Sequence, residues 1–243
     1  DLEGTQTIAL DVGALGGDST AVTLGGGSTT ERTLSVSTDA GDTGTYTATV
    51  SGADDAATAH VTGLAPGAFT VDILSTGEPV EGENLTVTAS IENTGEVETT
   101  QTVTLDVGAL GTDSTSVTLG GSSSTTETLA VGTSAGDAGE YTAAVSSADD
   151  SASANVTVLA PAAFTVDIVS TGQPIEGENL TVTASIENTG DVEATQTITL
   201  DVGALGSGST NVTLGGGSST NVSLAVGTGA GDAGAYTAAV SSE

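Results

Sequence analysis

No cysteine occurs in the 243 residues. A disulfide framework, a cysteine-based metal site and a cysteine nucleophile are thereby excluded. Lysine is absent too, and Arg32 is the single cation against 32 acidic residues, a formal net charge of -31. Nothing here neutralises phosphates, so a nucleic-acid partner is excluded. The one histidine, His60, has no Gly-x-Ser-x-Gly elbow to support, which removes a serine-type triad. Gly25-Gly26-Gly27 and Gly215-Gly216-Gly217 precede no helix and read as hairpin turns, not phosphate loops. No run is long and apolar enough to span a membrane in this segment. Aromatics are confined to Phe69, Phe164, Tyr46, Tyr141 and Tyr236, so Val, Ala and Leu must fill any core. No signal peptide is visible, and a chain that begins at Asp1 reads as a mature or excised segment.

What is present is regular. Extreme net charge usually marks disorder, but here apolar residues alternate with polar ones throughout. The composition reads instead as a folded protein adapted to high salt. At molar salt the Debye length falls to about 3 Å, and surface carboxylates barely repel one another. In dilute buffer the same surface would strain against itself.

The chain also repeats. Asp11-Val12-Gly13-Ala14-Leu15 returns at Asp106–Leu110 and at Asp201–Leu205, a shift of 95 residues each time. Tyr46, Tyr141 and Tyr236 keep that spacing, as do Phe69 and Phe164. A tandem array of one domain builds length and surface more readily than a single catalytic pocket. The complete copy shows seven alternating segments. Their inward sets are Phe69, Val71, Ile73; Leu85, Val87, Ala89, Ile91; Val103, Leu105, Val107; Val117, Leu119; Leu129, Val131; Tyr141, Ala143, Val145; and Ala154, Val156, Val158. Seven short Thr- and Val-rich strands with frequent turn residues predict an all-β fold, tandem immunoglobulin-like β-sandwiches with almost no helix. Asp137-Ala138-Gly139-Glu140-Tyr141 and its copies ending at Tyr46 and Tyr236 resemble a structural tyrosine corner. Alanine (Ala48, Ala143, Ala238) stands where antibody domains place the cysteine.

The strip Glu81-Gly82-Glu83-Asn84-Leu85-Thr86-Val87-Thr88-Ala89-Ser90-Ile91-Glu92-Asn93-Thr94-Gly95 recurs at Glu176–Gly190. With Val117-Thr118-Leu119 and Gly139–Val145, it resembles the CARDB (cell-adhesion-related) domains of bacterial and archaeal surface proteins. The resemblance extends over the chain by repetition. It implies an immunoglobulin-like sandwich outside the cell, in the stalk of a surface or secreted protein, and brings no catalytic residues. The acidic, Thr-rich version looks haloarchaeal.

The repeat phase divides the chain into residues 1–66, a repeat missing its first two strands; 67–161, a complete repeat; and 162–243, a repeat lacking its last strand. A segment of a longer tandem protein is the expected explanation, with strand exchange between subunits as the competitor. Sequons at Asn84, Asn155, Asn179, Asn211 and Asn221 take outward positions and are N-glycosylation candidates. Asp54-Asp55, Asp149-Asp150 and Glu81-Gly82-Glu83 are candidates for Ca²⁺, but their carboxylates are sparser than a calcium loop requires and read as solvated surface. No catalytic residue, cofactor site or metal site is otherwise expected. His60 and Arg32 read as peripheral. The expectation is a non-enzymatic extracellular structural protein, a stalk or filament segment on a halophilic archaeon, with copies of itself as partner. An adhesin for cell-surface glycans and a spike or decoration protein of a halophilic virus are the alternatives.

Overall fold

The computed structural model describes residues 2–243. The chain is all-β, a tandem series of immunoglobulin-like sandwich repeats. The first repeat holds β1 (Gly4–Asp11), β2 (Gly17–Leu24), β3 (Gly44–Ser51) and β4 (Ala56–Gly63). The second holds β5 (Phe69–Thr76), β6 (Asn84–Asn93), β7 (Thr99–Asp106), β8 (Thr112–Leu119), β9 (Ser124–Gly132), β10 (Gly139–Ser146) and β11 (Ser151–Val158). The third holds β12 (Phe164–Thr171), β13 (Asn179–Asn188), β14 (Ala194–Asp201), β15 (Ser207–Leu214), β16 (Ser219–Gly227) and β17 (Ala239–Ser242).

In the second repeat one sheet runs β5-β6-β9 and the other β11-β10-β7-β8, all pairs antiparallel. The fourth strand joins the third and not the fifth, which distinguishes the repeat from the constant-type antibody arrangement. The expected inward residues meet between the sheets. Leu85, Val87, Ala89, Ile91, Val103, Leu105, Ala143, Val145 and Val158 are fully buried. Phe69 is the sole aromatic ring buried with them. The outer faces carry threonine ladders. Thr5–Thr23, Thr100–Thr118 and Thr195–Thr213 each place two hydroxyl oxygens 2.7 Å apart across a strand pair, the cross-strand pairing that β-branched residues favour.

Among the described residues three short 3-10 turns are the helical content: Gly13–Leu15, Gly108–Leu110 and Gly203–Leu205. They are the Asp-Val-Gly-Ala-Leu motif. Asp106 Oδ1 accepts the Gly108 amide at 2.8 Å, Val107 donates to the Gly111 carbonyl at 3.0 Å, and Gly108 takes a left-handed φ of 60°. The repeated motif is thus a hairpin connection whose backbone needs glycine.

The first repeat departs from the expected strand set. Residues 25–43, which include the counterpart of β9, form no strand. The cause is pairing. In the second repeat β9 is bonded along its length to β6, and among the described residues no counterpart of β6 lies beside residues 29–37. Alternation alone does not make a strand without a partner. The core suffers likewise. Val12 and Val22 are the buried apolar residues of this repeat, whereas Ile8 and Leu10, counterparts of the fully buried Val103 and Leu105, remain partly exposed.

Candidate functional site

A chain with one cation must find other partners for its carboxylates. It uses backbone amides. Asp149 and Asp150, in the turn between β10 and β11, reach across to the free edge of β5. Asp149 Oδ2 accepts the Phe69 amide and Asp150 Oδ2 the Val71 amide, each at 2.9 Å. Asp149 also takes a hydrogen bond from the Gln101 side chain of β7, and Gln101 Oε1 accepts the Ala148 amide at 3.0 Å. The Gln101 bond foremost, then the Phe69 amide, holds the Asp149 carboxyl below its ordinary 3.8. Glu81 Oε1 accepts the amides of Gly136 (3.0 Å) and Ala138 (2.7 Å), and Glu176 does the same for Gly231 and Ala233. Two of the acidic loops considered for calcium therefore spend their oxygens on the fold itself. Among the described residues no group of three or more His, Asp or Glu is arranged to hold a metal ion.

The linkers are built the same way. Between the first and second repeats, the Ala65 amide donates to Glu96 Oε2 at 2.9 Å, and the Ala65 carbonyl accepts from Glu96 (3.0 Å) and Val97 (3.2 Å). Between the second and third, the Ala160 amide donates to Asp191 Oδ2 at 2.8 Å and its carbonyl accepts the Asp191 amide at 3.0 Å. The residue before it, Leu159, is fixed upstream. Its amide donates to the Pro79 carbonyl at 2.8 Å and its carbonyl accepts from Glu81 at 3.0 Å, a parallel bridge to Val80. Two consecutive residues are thus bound to two successive repeats. Pro161, with φ fixed by its ring, follows, and its carbonyl lies 2.0 Å from where a Cβ on Gly190 would sit. Gly95 and Pro66 repeat that approach at 2.0 Å. A side chain at either glycine would push the linker off.

The five sequon asparagines all lie on strands with exposed side chains. Asn84 and Asn179 open β6 and β13, Asn155 is in β11, Asn211 in β15 and Asn221 in β16. His60 is exposed on β4, and Arg32 is exposed in the irregular segment of the first repeat, donating to Thr30 Oγ1 and the Glu31 carbonyl. The three tyrosines differ. The Tyr141 hydroxyl donates to the Asp137 carbonyl at 2.8 Å and Tyr46 to Thr43 at 3.4 Å, while the Tyr236 residue is 42% exposed.

The two asparagines outside sequons, Asn93 and Asn188, have a role that alternation and turn propensity do not reveal. Both are fully buried. Asn93 Oδ1 accepts the amides of Ala68 (3.1 Å) and Gly95 (3.0 Å), and Nδ2 faces the carbonyls of Val97 (2.9 Å), Leu119 (3.0 Å) and Gly120 (3.1 Å). Asn188 makes the same five contacts with Ala163, Gly190, Val192, Leu214 and Gly215. One amide group ties together the chain entering the first strand, the turn after the second and the turn after the fourth. The available signal was that both residues stand at the centre of an Ile-Glu-Asn-Thr-Gly stretch and neither forms a sequon.

A family model described as a domain of unknown function (DUF7407) matches residues 171–241, which lie in the third repeat and amount to less than half of the chain. No curated protein matches. Among solved structures, the crystal structure of red sea bream transglutaminase aligns at 16% identity and a TM-score of 0.30, over 75% of this chain and 29% of its own. Escherichia coli alpha-2-macroglobulin activated by porcine elastase aligns at 14% identity and a TM-score of 0.31, over 99% of this chain and 29% of its own. This chain spans less than a third of either protein, and at these scores neither likeness carries an argument about activity.

Proposed function

We propose that this chain is an extracellular structural segment, a tandem immunoglobulin-like stalk or filament element of a halophilic archaeon, similar to CARDB repeats and without catalytic activity of its own. The observation that carries this is the pinned linker. Leu159 and Ala160 are adjacent in sequence and bonded to different repeats, so the array has no free residue at which to bend there. A spacer works by holding distance. The excess of 32 acidic residues over one cation supports the salt-adapted part of the proposal, because molar salt screens the mutual repulsion of such a surface.

Small-angle scattering in molar salt tests the stalk. Inserting a second copy of residues 67–161 is expected to lengthen the maximum dimension by one fixed increment. A broad distribution of dimensions, as from freely jointed beads, sinks it. Melting that is unchanged between molar salt and dilute buffer refutes the salt adaptation. Electron microscopy of native material in high salt separates a filament from a monodisperse short rod.

A further inference from the structure

The chain has seven asparagines, and the fold sorts them into two groups. Asn93 and Asn188 are fully buried, and the residue two places on is Gly95 or Gly190. Asn84, Asn155, Asn179, Asn211 and Asn221 are exposed, and the residue two places on always carries a hydroxyl: Thr86, Thr157, Thr181, Thr213 or Ser223. Exposure and sequon coincide without exception. Strand geometry explains how the second group is presented. Successive side chains alternate between the faces of a sheet. The asparagine and the hydroxyl therefore share the outer face, and the residue between them points to the core. Leu85, Val156 and Val212 are buried there, and Leu180 and Val222 pack against the core of the third repeat.

Each of the five also has a strand on one flank only. Asn155, Asn211 and Asn221 lie on β11, β15 and β16, the outermost strands of their sheets. In the complete second repeat β8 and β9, the counterparts of β15 and β16, are outermost as well. Asn84 and Asn179 open the central strands β6 and β13, ahead of the point where the first strand of the repeat joins. β5 first pairs at Val87, and β12 at Val182. On the occupied flank the facing residue is small in every case. It is Gly132 for Asn84, Gly227 for Asn179, Thr142 for Asn155, Thr197 for Asn211 and Ser185 for Asn221. Room is left beside each amide. The nitrogens are free as well. Asn93 and Asn188 engage Nδ2 with backbone carbonyls. Among the described residues none of the five exposed Nδ2 atoms donates a hydrogen bond. Their one side-chain contact runs from Thr197 Oγ1 to Asn211 Oδ1 at 3.2 Å and leaves the nitrogen open.

We propose that these five asparagines carry N-linked glycans and that the sugars coat both outer faces of the array. Asn84 lies on the β5-β6-β9 sheet, and Asn179 and Asn221 on its counterpart β12-β13-β16. Asn155 and Asn211 lie on the opposing sheets. The sugar donor is an oligosaccharide carried on a polyprenyl phosphate, and the catalyst is a membrane transferase that reads the sequon. Asn Nδ2 attacks the anomeric carbon of the sugar. The N–C bond forms as the C–O bond to phosphate breaks. The lipid phosphate leaves with the bonding electron pair, and the amide releases one proton to solvent. A glycan is bulky and solubilising, so sheet faces that bear one are closed to side-by-side packing. The third repeat carries the denser coat, with Asn211 and Asn221 where the second has Ser116 and Thr126. The proposal rests on the extracellular reading above, since such transfer acts on exported chains.

The test is mass spectrometry of the protein purified from its producing cells, as intact mass and as a peptide map. Sugar is expected on a majority of the five sequon asparagines and on neither Asn93 nor Asn188. Thr157→Val and Thr181→Val keep a β-branched strand residue and remove the hydroxyl; each is expected to delete one glycan and no other. Thr157→Ser and Thr181→Ser are expected to retain it. An unmodified mass, sugar on a minority of the five, sugar confined to serine and threonine hydroxyls, or a glycan that survives the valine substitution overturns the proposal. Protease shaving of intact cells separates this proposal from the extracellular reading. A chain cleaved at the cell surface with bare asparagines keeps the extracellular role and overturns the glycans. A glycosylated chain whose scattering shows free bending sinks the stalk and keeps the glycans.

Discussion

Replacing Asn93 by alanine removes one amide group from the interior and strands up to five backbone groups. Two of them, the amides of Ala68 and Gly95, accept no substitute from alanine, and the Leu119 carbonyl loses a donor in a buried setting. An unsatisfied buried polar group costs about 1–3 kcal/mol. Two amides and a carbonyl, with partial relaxation, sum to roughly 3–5 kcal/mol, against a total of about 5–15 kcal/mol for a domain. For a unit of this size each kcal/mol moves the midpoint by about 4–8 °C, so a shift of roughly 15–30 °C is expected. The measurement is thermal and urea unfolding by circular dichroism in molar salt, with Asn84→Ala as comparator. Asn84 is exposed, and its substitution is expected to stay within about 0.5 kcal/mol. Asn188→Ala should reproduce the loss in the third repeat alone. A cost below about 1 kcal/mol for Asn93→Ala would refute the reasoning, because water or a backbone shift would then be satisfying the same groups.

Ser122 takes a φ of 54° where its counterparts are Gly27 (77°) and Gly217 (64°); Ser122→Gly is expected to stabilise the second repeat by about 0.5–1 kcal/mol, and a loss in urea melts would contradict that. Tyr141→Phe is expected to cost about 1 kcal/mol through its hydroxyl bond, whereas Tyr236→Phe, at an exposed residue, should be silent; equal effects would remove the corner as an explanation. Asp149 has its folded pKa depressed below 3.8. Its contribution is therefore present above the unfolded value and is lost as pH falls through the folded one. Wild type should lose stability more steeply than Asp149→Asn below about pH 4, and a carboxyl midpoint by NMR at or above 3.8 would count against this.

The strands were legible because period-two alternation is a local signal, and in the second repeat every inward set lies in the core. What stayed hidden depends on contacts distant in sequence. Asp149 and Asp150 read as solvated acids because the amides that they cap, on Phe69 and Val71, lie 80 and 79 residues away. Residues 29–37 carry the fifth-strand pattern, yet their strand needs the edge of a neighbour, and no local pattern records whether that neighbour exists. Asn93 reads as an ordinary turn residue because nothing in its flanking sequence states that three separate backbone segments converge on it.

The shared grip of Leu159 and Ala160 makes adjacent repeats thermodynamic neighbours. If one repeat melts, the strand end it releases takes with it a bond that the next repeat was using. Stability along such an array is a sum of unit terms and nearest-neighbour couplings. Interior units would then melt late, units at a boundary would fray first, and resistance to unfolding would rise with the number of copies before levelling off. Copy number would thus set endurance as well as reach.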